Sequence, residues 1–179
     1  SIPGMFGTAG GPGPGQPFGI YWPALIDSQL VPMEVVVDGK MTVVDNTAGA
    51  PALQIEQPAI ALPAVPEGPT RSAPLGHLFG ARSGDKGPNA NLGIFARDLK
   101  SFSWLSQFLT IEQLKELMPE AAERDVNRYD LPNLLSLNFI FYGLLEEGVA
   151  ASTRQDPQAK ALGEYLRAKV VQIPEELFA

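Results

Sequence analysis

Residues Leu75 to Asp98 read LGHLFGARSGDKGPNANLGIFARD. Two apolar runs of strand length, Leu75 to Ala81 and Leu92 to Ala96, flank a polar stretch that holds Arg82, Ser83, Asp85, Lys86, Asn89 and Asn91, with Gly84 and Gly87 spaced through it. The pattern predicts strand, loop, strand. Glycine tolerates positive φ and close backbone approach, so amides between Gly84 and Gly87 are placed to converge on an anion, with Lys86 adding charge. A plainer reading stands beside it. Asp and Asn side chains commonly bond their own loop backbone, and an Asp beside a Lys forms a solvated pair, so the loop could serve only to close a hairpin. The stretch is not a phosphate loop of the GxxxxGK[ST] kind, because Gly87 follows the Lys and no helix pattern begins there.

Downstream, Phe102, Trp104, Leu105, Phe108 and Leu109 fall at near-helical spacing and read as core. Thr110-Ile111-Glu112-Gln113 forms a capping box that starts a short helix ending before Pro119. Ala122 to Leu131 reads as a strand bearing Arg124, Arg128 and Tyr129. Pro132 then suits the first turn of a helix whose buried face is Leu134, Leu137, Phe141 and Leu144, with Asn133 and Asn138 beside it. Val149 to Arg154 reads as another strand. Asp156 caps a helix beginning at Pro157 with Ala159, Leu162, Leu166 and Val170 on its inner face, and Val170 to Ile173 adds a short last strand. The sum is an α+β domain of two layers, a mixed or antiparallel sheet with helices on one face. His77, on the alternating face shared by Leu75 and Phe79, reads as a core or interface histidine.

Upstream the composition changes. Residues 1–48 carry repeated Gly-Pro pairs and then short extended segments, with a hairpin predicted for Val35 to Val37 and Met41 to Val44 around Asp38-Gly39. Tyr21, Trp22, Leu25, Ile26 and the valines bring more apolar surface than a loose arm should expose, so this arm requires a partner surface. Residues 49–74 are rich in Ala and Pro, with Leu53, Ile55, Ile60 and Leu62 on alternate positions, and read as an extended linker able to lay one or two short strands along a neighbour, with a disordered tether as the plainer alternative. The folded domain then spans 75–179.

The chain has 179 residues, 45% of them hydrophobic and 18% charged, enough for one packed domain and an appendage. Its formal net charge of -7 argues against a nucleic-acid partner, which demands clustered Lys and Arg. The absence of Cys removes disulfides, thiolate metal sites and cysteine nucleophiles, and a single His removes a multi-histidine metal site within one chain. Carboxylates could still hold a hard cation, but no metal site is assigned, and the cofactor is left open. No apolar run is long enough to cross a membrane and no signal-like start appears, so a cytoplasmic location is expected. Ser1 as an N-terminal nucleophile has no neighbouring base in the sequence.

The string Ala81-Arg82-Ser83-Gly84-Asp85-Lys86-Gly87, with Ala90-Asn91-Leu92-Gly93 and Ala96-Arg97-Asp98, resembles the signature of the small C-terminal domain of the acyclic terpene utilisation (AtuA) family. Arg128 to Leu134, Leu137-Asn138-Phe139 and Gly148 to Arg154 extend the resemblance in the same order, over roughly residues 74 to 173. Pro88 departs from the pattern, standing where the family usually has a polar or acidic residue. Pro3-Gly4 through Pro17 to Ala24 is similar to the closing part of the family's large core domain, whose preceding several hundred residues are not in this chain. The resemblance implies a ferredoxin-like domain preceded by the tail of that core: a natural small subunit, a processed piece or an excised part.

It further implies a catabolic setting, with branched acyl-CoA thioesters as substrates and lyase-type carbon–carbon cleavage as the suggested chemistry. In that setting Asp85 is the candidate base, with Lys86 and Ser83 as its catalytic neighbours. Arg82, Asn89, Asn91, Asn133 and Arg154 are the candidate substrate-binding residues. The expected partners are a larger AtuA-core subunit or further copies of the chain, and a small-molecule substrate, with no nucleic acid or membrane. The alternative is a non-catalytic assembly module that completes a larger subunit.

Overall fold

The computed structural model describes residues 14–15, 17–20, 22–45, 49 and 59–179. The readings placed on Ser1, on most of the Gly-Pro arm and on Leu53 and Ile55 lie outside the described residues. In the arm, β1 (Met33–Val37) and β2 (Lys40–Val44) form the predicted antiparallel hairpin. Its turn residues Asp38 and Gly39 both have positive φ, 50° and 76°, which suits a two-residue turn between twisted strands. Every residue of the two strands is exposed.

The folded domain takes in the last five residues of the expected linker as β3 (Thr70–Pro74), which pairs with the last strand, and continues with a 3-10 turn at Leu75–His77, β4 (Gly80–Lys86) and β5 (Asn89–Phe95). Then come α1 (Leu99–Phe108), α2 (Ile111–Leu117), β6 (Val126–Leu131), β7 (Ser136–Phe141), α3 (Leu162–Arg167) and β8 (Val170–Pro174). Four strands make an antiparallel sheet in the order β4-β5-β7-β6, while β3 pairs antiparallel with β8. The β3–β8 pair therefore ties the entry of the domain to its exit.

The layers follow from alternation. Ala90, Leu92 and Ile94 of β5 and Leu137, Phe139 and Phe141 of β7 are buried, while the residues between them are not. They join Phe102, Leu105, Leu114 and Leu166 from the three helices in one core, so the helices cover one face of the sheet and leave the other open. This is the expected α+β arrangement. Trp104 packs between Phe79 and Phe108, its ring centroid 5.7 Å and 4.5 Å from theirs. Ser103 donates a 2.6 Å hydrogen bond to the Pro63 carbonyl, which fastens the incoming segment to α1.

The helix starts obey local capping. Asp98 precedes α1, and its carboxylate accepts from the Ser101 amide and hydroxyl, both at 2.8 Å. The Ser101 amide bond, with the neighbouring amide and Lys100, lowers the Asp98 pKa from its ordinary 3.8. A carboxyl with a depressed folded pKa contributes stability above its unfolded value and loses it as pH falls through the folded one. Asp98→Ala is thus expected to cost about 1 kcal/mol near neutral pH. That difference should shrink in acid as the carboxyl is protonated, as read from urea midpoints measured across pH. Thr110 caps α2 as predicted, accepting from the Gln113 amide at 3.1 Å.

Four local expectations are corrected. Leu75 to His77 is a 3-10 turn because the Leu78 and Phe79 amides bond back to the Leu75 carbonyl, so the first strand starts at Gly80 and His77 lies exposed. The helix expected after Pro132 is one 3-10 turn that stops at Leu135, whose φ of 50° is left-handed, and the chain continues as β7. Val149 to Arg154 forms turns, with the Ala151 and Ser152 amides both returning to the Gly148 carbonyl. The helix expected from Pro157 starts only at Leu162: Ala159 has a φ of 54°, and Asp156 caps a turn by accepting from the Lys160 and Ala161 amides, each at 2.8 Å.

Candidate functional site

The predicted loop between two strands is not a loop. Arg82 to Lys86 belongs to β4 and Asn89 to Asn91 to β5, joined by a tight turn at Gly87 and Pro88. Gly87 alone of the two loop glycines has positive φ, 64°, so no anion nest forms between Gly84 and Gly87. The polar residues instead divide between the two faces of the sheet, because side chains alternate along a strand.

On the open face the register sets out rows. One row runs Gly84, Asn91, Ile140, Asn127; the next runs Arg82, Gly93, Asn138, Tyr129; the last runs Gly80, Phe95, Ser136, Leu131. Gly84 and Gly93, at diagonal positions, put no side chain of their own on the floor, and the Lys160 ammonium lies over Gly84. Around them lies a cavity of about 360 Å³ lined by Arg82, Lys86, Lys160, Asn91 and backbone of Ser83 and the two glycines. That volume suits a small ligand. The Asn91 amide donates to the Asn138 side-chain oxygen at 3.0 Å, which holds both amides across the rows. Farther along this face, Asn127 donates to the Tyr142 hydroxyl at 3.1 Å, and hydrogen bonding with Tyr129 raises the Tyr142 pKa above the usual phenol value. Tyr142 is therefore a neutral hydroxyl at physiological pH.

The opposite face takes Ser83 and Asp85. The Ser83 hydroxyl donates to the Lys160 carbonyl at 3.1 Å and accepts from the Gly163 amide at 2.9 Å. It fastens the start of α3 to β4. A Cβ on Gly163 would approach the Ala81 Cβ and the Arg82 nitrogen at 3.3 Å, which shows how closely the two elements meet. Ser83→Ala leaves both groups without their partner at a buried contact, so a loss of about 2 kcal/mol is expected in equilibrium unfolding. Asp85 is in register with the buried Ala90, on the Ser83 side of the strand and away from Arg82 and Lys86.

The other predicted residues are dispersed. The Asn89 side-chain oxygen accepts from the Gly143 amide at 2.9 Å and ties the β4–β5 hairpin to the turn after β7. Asn133 is exposed in the 3-10 turn before β7, at the Phe95 end of the sheet. Arg154 pairs with Glu120 at 2.6 Å on the helical side. Structure thus brings together Arg82, Lys86 and Asn91, and adds Lys160, which the helix expected from Pro157 would have carried elsewhere. Among the described residues no three His, Asp or Glu side chains gather as a metal-binding group, and no helix is long and apolar enough to cross a membrane.

A second cavity, about 460 Å³, lies where Ile20, Trp22 and Pro23 of the arm pass Pro88, Glu146 and Glu147. Its titratable groups are the two glutamates, so it offers apolar contact rather than a constellation for chemistry.

The model of the AtuA ferredoxin-like domain matches residues 73–172, from the end of β3 to the middle of β8. No curated protein and no solved structure matches the chain. The matched span contains the whole four-stranded sheet, its three helices and every residue of the cationic cavity. With more than half its length matched and the α+β fold in place, this chain belongs to the AtuA ferredoxin-like domain family.

Proposed function

We propose that the chain is the small subunit or C-terminal part of an AtuA-type catabolic enzyme of the cytoplasm, acting on branched acyl-CoA thioesters by lyase-type chemistry. The carrying observation is the cavity on the open face of the sheet, where Arg82, Lys86 and Lys160 stand over a floor opened by Gly84 and Gly93. Arg82 and Lys86 hold the anionic part of the substrate, and Asn91, braced by Asn138, orients it. With Asp85 on the far side of β4, this domain supplies one wall of the site and the reacting base comes from the partner, a larger core subunit or a second copy.

The test is turnover of branched acyl-CoA thioesters by the protein purified with its native partner. Arg82→Ala and Lys86→Ala are each expected to lower kcat/KM about 10- to 100-fold, equivalent to roughly 1.4–2.7 kcal/mol. Asp85→Asn is expected to stay within a few-fold of wild type. Undiminished turnover in both cation variants would remove the proposal, and collapse in Asp85→Asn would return the base to this chain.

The arm favours a second reading, an assembly module that completes a larger subunit. Trp22, Leu25 and Leu30 are 85%, 102% and 76% exposed, and both faces of the β1–β2 hairpin carry valine or methionine. Native mass spectrometry of the protein from its own source separates the readings. A stable complex with a much larger chain and no loss of turnover in the cavity variants favours assembly alone.

A further inference from the structure

We infer that the cavity at the β4 edge is a phosphate site, built for a dianionic phosphate ester or pyrophosphate rather than a single carboxylate. Its lining holds three cationic side chains and no carboxylate, in a chain whose net charge is -7. None of Arg82, Lys86 and Lys160 takes part in an ion pair among the described residues. All three are exposed, so water screens their mutual repulsion, and an anion of comparable charge seated among them gains from all three at once. A monocarboxylate would leave two of the three uncompensated.

The cluster is held in place by the fold. The Lys160 backbone is fixed at both ends, its amide donating to Asp156 at 2.8 Å and its carbonyl accepting from Ser83 at 3.1 Å. Its ammonium lies 3.3 Å from where a Cβ on Gly84 would stand, so glycine there leaves the ammonium its room at the edge of the floor. Lys86 donates one hydrogen bond to the Asp85 carbonyl at 2.9 Å and keeps two ammonium protons for a ligand. Arg82 supplies the planar fork that pairs with two phosphate oxygens, and the lysines act as point charges on the remainder. Ser83, which the resemblance set beside Asp85 as a catalytic neighbour, is thereby a positioning residue that sets Lys160.

The preference for phosphate stands on the cavity alone. That the phosphate belongs to coenzyme A rests on the proposed function, in which this domain grips the nucleotide end of the thioester and leaves the acyl group to the partner's wall. Isothermal titration of the full chain at fixed ionic strength, with pyrophosphate, acetate and coenzyme A as separate titrants, tests both statements. Pyrophosphate is expected to bind and acetate not to compete with it. Lys160→Ala and Arg82→Ala should each weaken pyrophosphate at least tenfold, and Lys115→Ala, remote on α2, should leave it unchanged. Gly93→Ala keeps the fold intact, since its added Cβ meets nothing closer than 3.7 Å, yet fills the floor and should weaken binding too. No pyrophosphate binding, equal competition by acetate, or an equal loss from Lys115→Ala would overturn the site. Coenzyme A binding tighter than pyrophosphate supports the thioester reading; binding no tighter keeps the phosphate site and overturns that reading.

Discussion

Phe139→Ala is expected to destabilise the domain by about 4 kcal/mol, the range for removing a fully buried aromatic ring from a core that cannot collapse around the gap. Phe139 is the fourth of the six residues of β7, 0% exposed, in register with Leu92 on one side and Arg128 on the other. It sits where the sheet meets the helices, so the lost ring leaves contacts unmade in both layers. The same substitution separates two structures for this stretch. In a helix with Leu134, Leu137, Phe141 and Leu144 inward, position 139 lies off the buried face and alanine is tolerated. In a strand it is central. Chemical denaturation with an unchanged m-value and a large fall in midpoint is the expected result.

Arg128→Ala is expected to cost about 3 kcal/mol, because each charge-assisted hydrogen bond it makes is worth about 1.5–3 kcal/mol and the freed carbonyls lie at a partly buried helix end. The guanidinium donates to the Ser106 carbonyl at 2.8 Å and to the Leu109 carbonyl at 3.0 Å, satisfying the last turn of α1, and pairs with Asp130 at 2.5 Å. A cation there also complements the negative end of the helix. Lysine should recover only part of the loss, since one ammonium cannot span both carbonyls with the spacing of the arginine fork. If Arg128→Ala matches wild type in its unfolding midpoint, the β6 edge strand does not depend on this link to α1.

These two residues also show where sequence is informative. The hairpin around Asp38-Gly39 and the start of α2 at Thr110 were legible because turn and cap chemistry is local, whereas α1 was legible only in its apolar spacing and its Asp98 cap was missed. The segment after Pro132 fits a helical spacing through Leu134, Leu137, Phe141 and Leu144, and fits a strand through Leu137, Phe139 and Phe141. The left-handed Leu135 decides between them, and no sequence rule places a leucine there. Arg82 to Lys86 read as a loop because polar residues dominate it. An edge strand with one face open to solvent tolerates that composition. Of the candidate site, Arg82, Lys86 and Asn91 were visible as charge and amide density, whereas Lys160 arrives from a turn 77 residues after Ser83, through contacts that no local pattern records.

The placement of function on the open face of the sheet, rather than on the hairpin tip or the arm, is tested most directly by a two-dimensional amide NMR titration of the full chain with a branched acyl-CoA thioester. Saturable shifts are expected at Gly84, Asn91 and Gly93 and at the Asn138 side-chain amide, with little change at Gly39 in the β1–β2 turn. Shifts confined to Gly87 and Asn89, or to the arm, with Gly84 and Gly93 unmoved, would contradict the account.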